Sequence, residues 1–298
     1  MGGAALRTCV VCGSTNNRAV FNEFGVDMMR CRSCGHVFSS WTANQDYEGY
    51  FDAASVASAD QFYWDQAHDR IYTDFCDRFI AGRSGRILDV GCGLGYFVKR
   101  VAGFPGWHAV GYEISPTAVA FAQTTLGLTD VHCGRVEDSG FAPGSFDLIT
   151  LWDVIEHIPE PDPLLSYLCG LLAEGGMLCM HTPNATIQVP KAKLTRMLRG
   201  MDPSAHYLEA RDHMNLYTMS TLTRVLRRCG YRDVRYIHLP PIQSVAGSRN
   251  GALRAVKNAW ASFATLLFHA TFHTINLDNL FVIARPGGPP TSPPLPRG

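Results

Sequence analysis

Arg86-Ile-Leu-Asp-Val-Gly-Cys-Gly-Leu-Gly95 is a short apolar run that passes directly into three glycines at alternate positions. The run reads as a strand. Glycine is required where backbone turns sharply and lets a ligand approach it closely. Gly91, Gly93 and Gly95 do not follow the Gly-x-Gly-x-x-Gly rhythm of a dinucleotide loop. Asp89 stands just ahead of the turn, and an acid there suits a ligand with a cationic amine. A phosphate would instead want bare N–H groups. Glu113 ends the next strand-like run, 24 residues after Asp89, counted from 89 to 113. That interval is where a Rossmann-type fold sets a carboxylate on ribose hydroxyls.

Outward from this turn, strand and helix signals alternate. Strands are expected at 86–90, 108–114, 130–133, 146–151, 176–181, 231–238 and 280–284, with helices at 96–102, 116–126, 163–172 and 220–229. Ser115 is placed to cap the helix that Pro116 begins, and Gly230 to stop the one ending at Cys229. Such alternation predicts an α/β, doubly wound, mostly parallel seven-stranded sheet. Upstream, Ile71, Phe75, Phe79 and Ile80 recur at helical spacing, so a leading helix is expected within an aromatic-rich linker, 41–83, that also holds Trp41, Tyr47, Tyr50, Phe51, Phe62, Tyr63 and Trp64. The main domain is expected at 84–285, with a helical insertion at 244–275 whose apolar positions are Leu253, Val256, Ala259, Phe263, Leu266 and Leu267. That insertion reads as a packing or dimer helix, or as a lid over a greasy acceptor. A proline-rich tail at 286–298 is expected to be disordered.

The composition narrows the partners. Lys+Arg and Asp+Glu both number 26, which predicts no general attraction to nucleic acid or to an acidic membrane. No charged start followed by an apolar run is visible, and the apolar stretch 259–270 is too short to span a bilayer. The cytoplasm is the expected compartment. The sequence does not set the oligomeric state.

Cys9-Val-Val-Cys12 and Cys31-Arg-Ser-Cys34 are two Cys-x-x-Cys knuckles separated by 18 residues, the spacing of a four-cysteine zinc site. Residues 1–40 lack the apolar runs for a core of their own, so a zinc ribbon there would depend on its metal. Four thiolates close the coordination sphere and make the zinc structural. His36, beside the second knuckle, reads as structural.

Leu88-Asp-Val-Gly-Cys-Gly-Leu-Gly95, Glu113, Phe146-Asp-Leu-Ile149, Asp153-Val-Ile-Glu-His157, Glu174-Gly-Gly-Met-Leu178 and Thr182-Pro-Asn184 together resemble the motifs of class I S-adenosylmethionine-dependent methyltransferases. The likeness is greatest to the small-molecule group that includes ubiquinone O-methyltransferases, and it covers residues 84–240 plus the last strand. It implies a Rossmann-like sheet whose last strand is antiparallel, with S-adenosylmethionine as cofactor. It implies that Gly91, Cys92, Gly93 and Gly95 line the methionine part, with Asp89 orienting its amino end. Glu113 would hold the ribose and Ile114 lie against the adenine, with Trp152 and Asp153 completing the cofactor set. Relatives carry an acid after the third strand. Arg135 stands at that position here, so Glu137 or Asp138 is expected to substitute.

Methyl transfer needs alignment and, for an oxygen or nitrogen nucleophile, a base, most often histidine. His157 and His181 follow the fourth and fifth strands on the ligand-binding rim, and His206 and His213 lie in the loop before the helix at 220. His157 is the first candidate base, followed by His213 and His181. A helical turn over 153–157 would instead gather Asp153, Glu156 and His157 as ligands for a divalent cation, or Glu156 would cap the next helix. Three functions follow. The first is methylation of a small-molecule acceptor, on oxygen of a sugar, lipid-linked intermediate or secondary metabolite, with peripheral contact to a lipid substrate left open. The second is RNA or protein methylation with the ribbon as docking module, disfavoured by the few cations of residues 1–40. The third is a non-catalytic S-adenosylmethionine-binding protein, disfavoured by the intact Asp89, glycine and Glu113 set.

Overall fold

The computed structural model describes residues 7–42, 51, 59–203, 205, 207–239 and 251–287, without the side chains of 59–67, 251–258 and 261. Tyr47, Tyr50, His206, the start of the 244–275 insertion and the tail from 288 lie outside the described residues, as do the side chains of Phe62, Tyr63, Trp64, Leu253 and Val256.

A seven-stranded sheet has the order β10-β11-β8-β7-β4-β5-β6. Its strands are β4 (Gly85–Val90), β5 (Trp107–Glu113), β6 (Val131–Cys133), β7 (Phe146–Trp152), β8 (Leu172–Thr182), β10 (Tyr231–Ile237) and β11 (Leu280–Pro286). β4 pairs in parallel with both β5 and β7, while β11 runs antiparallel between β8 and β10. The expected Rossmann-like sheet with an antiparallel last strand is therefore present. From β4 the chain first builds outward through β5 and β6, then returns to place β7 on the other side. That reversal opens a crevice at the carboxyl ends of β4 and β7, where such sheets bind ligands.

Helices cover both faces. On one side α1 (Ala59–Phe79) and α2 (Tyr96–Ala102) bury Ile71, Phe75, Phe97 and Val101 against Ile87, Leu148 and Cys179. On the other, α4 (Pro161–Leu171) and α6 (Met219–Arg228) bury Leu165, Leu168, Leu222 and Val225 against Leu88, Ile149 and Met180. Ser115 caps α3 (Pro116–Thr124) by accepting the Ala118 N–H, as expected. α6 carries a reciprocal cap between Thr218 and Thr221.

Several elements depart from the sequence reading. β8 begins at Leu172, not Gly176. A 15-residue helix, α5 (Ala185–Arg199), occupies a stretch with no expected element. Its interior Pro190 reads as a breaker costing about 3 kcal/mol. The Asn184 side chain caps it at Thr186 N–H, and Ala185, Val189 and Ala192 bury one face. Another is α7 (Gly251–Ala270), a helix within the 244–275 stretch whose inward face differs from the expected one. Ala264 and Phe268 are buried, whereas Phe263 and Leu266 are exposed.

The N-terminal segment folds as β1 (Asn17–Glu23), β2 (Val26–Cys31) and β3 (Val37–Ser39), and it is not a detached module. β3 pairs with β9 (Asn215–Leu216), a strand of the main domain, giving a four-stranded sheet β1-β2-β3-β9. Phe21, Val26, Met28 and Val37 share a core with Ala185, Val189 and Ala192 of α5 and with Tyr207, Leu208 and Leu216. The missed helix is thus stabilised by the ribbon it supports.

Candidate functional site

The crevice divides into two sides. On the first, Gly91, Gly93 and Gly95 all take positive φ, at 66°, 52° and 84°. The N–H groups of Gly91 and Cys92 both donate to the Tyr112 carbonyl, tying the turn to β5. At Gly91 a Cβ would stand 2.6 Å from Cγ2 of Val154, so even alanine would push the loop off the β7 turn. Glu113 is buried at the end of β5. Its Oε2 accepts the Gly93 N–H at 2.9 Å and its Oε1 the Ser115 N–H at 2.9 Å. One carboxylate therefore holds the glycine turn and the start of α3 together. Burial raises its pKa, against the lowering effect of those backbone N–H groups.

Asp89 is buried and accepts the Thr150 hydroxyl at 2.7 Å. Burial pushes its pKa up to about 7, opposed by the Thr150 bond and assisted by the charge of Glu113. Cys92 turns its sulfur over Gly111 of β5, where a Cβ would meet it at 2.7 Å, leaving only its backbone toward a ligand. Ile114 follows Glu113 at the same rim, half-buried. Glu137 and Asp138 lie in a 3-10 turn, and Glu137 pairs with Arg135 at 2.8 Å. The ring of Trp152 points into the aromatic cluster of Tyr72, Phe75 and Phe97, 8% exposed, so it packs beneath the site and does not line it.

The segment 153–157 is not helical, which separates the three residues expected to share one ligand set. Asp153 has φ 52°, a left-handed conformation that non-glycine residues seldom adopt. It faces α1: His68 Nε2 lies 3.0 Å from Oδ2 and His181 Nδ1 2.9 Å from Oδ1. Burial raises the Asp153 carboxyl, but the two imidazoles, His181 foremost, outweigh this and hold it well below the ordinary range. His181 is fully buried and stacked on Phe281 at 4.4 Å, a support for Asp153 more than a group that meets substrate. His68 was not singled out from the sequence. Its position three and seven residues before Ile71 and Phe75 puts it on the inward face of α1, the signal that could have marked it.

The second side gathers Glu156, His157 and His213, whose ligand atoms lie within 4.8 Å of one another. The rings of His157 and His213 meet edge to face, centroids 5.0 Å apart. His157 Nδ1 donates to the Asp212 carbonyl at 3.1 Å, which leaves Nε2 as its basic nitrogen, while His213 Nδ1 donates to the Leu208 carbonyl at 3.1 Å and its Nε2 lies 3.2 Å from Glu209 Oε2. Burial lowers the His157 pKa to about 4, reinforced by the neighbouring His213, so the ring is neutral near pH 7. Glu156 is fully buried. Its Oε2 accepts the Thr182 hydroxyl at 2.8 Å, and Oε1 has no hydrogen-bond partner among the described residues. Burial first, then the charge of Asp153, raise its pKa well above the ordinary range.

The four cysteines of the ribbon also converge. Cys9 Sγ lies 3.5 Å from Cys34 Sγ and Cys12 Sγ 3.5 Å from Cys31 Sγ, with all four within 4.8 Å. Tetrahedral zinc with bonds of about 2.3 Å would set sulfurs about 3.8 Å apart, so the donor set fits. Gly13 and Gly35 close the knuckle turns by donating to the Cys9 and Cys31 carbonyls.

A protein-family profile described as "Methyltransferase domain" matches residues 63–236. The ubiquinone biosynthesis O-methyltransferase of Chromobacterium violaceum is 31% identical over 116 residues, covering 37% of this chain and 50% of that one. The protein of the same description from Neisseria meningitidis is 29% identical over 136 residues, covering 41% and 57%. The chain thus spans about half the length of the curated relatives it matches. Among solved structures, phosphoethanolamine N-methyltransferase 2 of Haemonchus contortus, in complex with S-adenosyl-L-methionine, superposes with a TM-score of 0.51 at 17% identity, covering 84% of this chain and 62% of that one. A chain from a complex of the Haloferax volcanii Trm112 methyltransferase activator with a methyltransferase gives 0.54 at 14% identity, covering 82% and 99%. At these identities the likeness is one of fold. No helix among the described residues is long and apolar enough to cross a membrane.

Proposed function

The chain belongs to the methyltransferase domain family, and on that premise we propose that it transfers the methyl group of S-adenosylmethionine to a hydroxyl of a small-molecule acceptor. The observation that carries this reading is the Glu113 carboxylate fixed beside the three-glycine turn at the switch point of the sheet. A buried carboxylate there suits a ribose diol, and Asp89 beneath the turn suits an ammonium group. The bound donor supplies an electrophilic methyl carbon next to a sulfonium. The protein's own work is to hold that carbon in line with the acceptor and to receive the acceptor's proton. Replacing Glu113 with alanine is expected to weaken S-adenosylmethionine binding by about 1–3 kcal/mol, read by calorimetry. Unchanged affinity would remove Glu113 from the donor site.

Asp89 makes the donor site sensitive to pH. Its folded pKa of about 7 leaves it half neutral near pH 7. A cationic ligand favours the carboxylate, so binding expels the proton and affinity rises with pH between roughly 6 and 8, then levels. Titrations across that interval should show the rise in wild type and a flat profile in Asp89→Asn. A flat wild-type profile would separate Asp89 from the donor.

On the acceptor side, His157 is the proposed base, with His213 beside it. A base held near pKa 4 is matched to an acidic hydroxyl, such as a phenol or enol, far better than to an aliphatic alcohol. A second reading is favoured by Glu156, whose buried Oε1 is unpartnered among the described residues and whose carboxylate lies within 4.8 Å of both imidazoles. Each histidine has Nδ1 on a backbone carbonyl, the arrangement that fixes metal-binding imidazoles. In that reading Glu156, His157 and His213 hold a divalent cation that lowers the acceptor's pKa, with His213 in the place expected for Asp153. Elemental analysis decides: one metal per chain, in the ribbon, supports the base, and a second equivalent lost on Glu156→Gln supports the cation. An acceptor with an apolar chain would find exposed Leu194, Met197 and Leu198 on α5 and Trp260, Phe263 and Leu266 on α7.

A further inference from the structure

We infer that the N-terminal ribbon is a positioning element for the acceptor-side histidines, with Glu23, His36 and Ser39 as its positioning residues. The inference rests on the reading of that side as the acceptor site. It explains why a closed four-cysteine site, which has no open coordination position, is built into this chain.

Two arms reach from the ribbon into the loop 207–216. The first starts at Glu23, the last residue of β1, only 8% exposed. Its Oε2 accepts the N–H of Leu208 at 3.2 Å and of Ala210 at 3.0 Å. The Ser39 hydroxyl donates to the Ala210 carbonyl, and the Ser39 N–H donates to Met214 at 3.0 Å. Leu208 is the residue whose carbonyl receives His213 Nδ1, so the peptide groups around Leu208 carry Glu23 on one side and His213 on the other. A buried carboxylate bonded to two backbone amides is a strong, charge-assisted anchor.

The second arm starts at His36, fully buried, two residues past Cys34. Its Nε2–H donates to Asn215 Oδ1 at 3.0 Å. Asn215 passes the constraint on. Its Nδ2 donates to the Ile158 carbonyl at 2.7 Å and the Pro159 carbonyl at 3.3 Å, and its N–H to the Glu156 carbonyl at 2.9 Å. These bonds bracket His157 in the chain. Arg7 adds a donation to the Pro159 carbonyl at 2.9 Å. The β3–β9 pairing, Val37 with Leu216 and Phe38 with Asn215, joins the two arms into one sheet. Both imidazoles therefore inherit their backbone placement from the ribbon, while Glu113 and the glycine turn are held by β5.

The test uses the full chain with its metal, and reads the His157 and His213 ring signals by nitrogen-detected NMR beside calorimetry with S-adenosylhomocysteine. Glu23→Ala should shift both sets of ring signals and speed exchange of their Nδ1 protons, with S-adenosylhomocysteine affinity unchanged. Glu23→Gln, whose amide oxygen can still accept both N–H groups, should restore the wild-type spectrum, which mere loss of stability would not do. Should Glu23→Ala fail to fold, Ser39→Ala removes the donor to Ala210 and is read the same way. Ring signals that superpose on wild type in the folded variant overturn the inference. Absence of S-adenosylhomocysteine binding in wild type would instead count against the donor reading and leave the ribbon's influence on the rings to be judged by the NMR alone.

Discussion

Cys31→Ala is expected to unfold the ribbon and take with it the acceptor side of the crevice. Structural zinc contributes on the order of 10 kcal/mol to the folding of small metal modules. A whole domain holds only about 5–15 kcal/mol in reserve. The three ribbon strands have few apolar residues of their own, and those they have are shared: Cys31 and Phe38 sit in the same core as Leu165 and Val225, and Met28 and Val37 pack with Val189 of α5. Loss of a zinc ion held by these four sulfurs would therefore expose surface on α5 and on the loop 207–216. Calorimetric or circular-dichroism melting should show a large fall in Tm, with zinc content dropping to zero. A variant that melts with wild type would mean the four sulfurs contribute nothing to folding.

The second large effect is at His157. Its replacement by alanine should lower turnover by about 10²–10⁴-fold while donor affinity stays unchanged, the usual span for loss of a general base. The pH profile carries a further signature. The folded pKa is depressed to about 4 by burial and by His213, so the ring stays unprotonated, and competent, well below the pH at which an ordinary histidine would be lost. With S-adenosylmethionine saturating at every pH, so that Asp89 does not enter, the acidic limb of kcat/KM for the acceptor should therefore fall near pH 4. Turnover of His157→Ala equal to wild type would remove both the base and the cation from the account.

The glycine-turn side of the candidate site is legible in the sequence because it is local. Strand, glycine turn and acid lie within residues 86–113, and the expected order of elements gives their relative placement. The acceptor half is assembled from distant pieces. Glu23 bonds to Leu208 across 185 residues and His36 to Asn215 across 179, and no periodicity in a single sequence encodes such pairs. The helical reading of 153–157 failed at one residue. Asp153 adopts φ 52°, breaking the i, i+3, i+4 relation and sending its carboxylate to His68 and His181, away from the Glu156 set. α5 was hidden by Pro190 and by a surface face rich in Lys191, Lys193, Arg196 and Arg199, while the small buried face that packs on the ribbon gives a weak signal.

The glycine turn and Glu113 are the proposed site for S-adenosylmethionine. Calorimetric titration of the 298-residue chain with S-adenosylmethionine at pH 8, where Asp89 is largely ionised, tests this most directly. One equivalent bound per chain with micromolar-range affinity, about 7–8 kcal/mol of binding free energy, weakened in Glu113→Ala, is the predicted result. No heat and no saturable binding to the wild-type protein would contradict the claim.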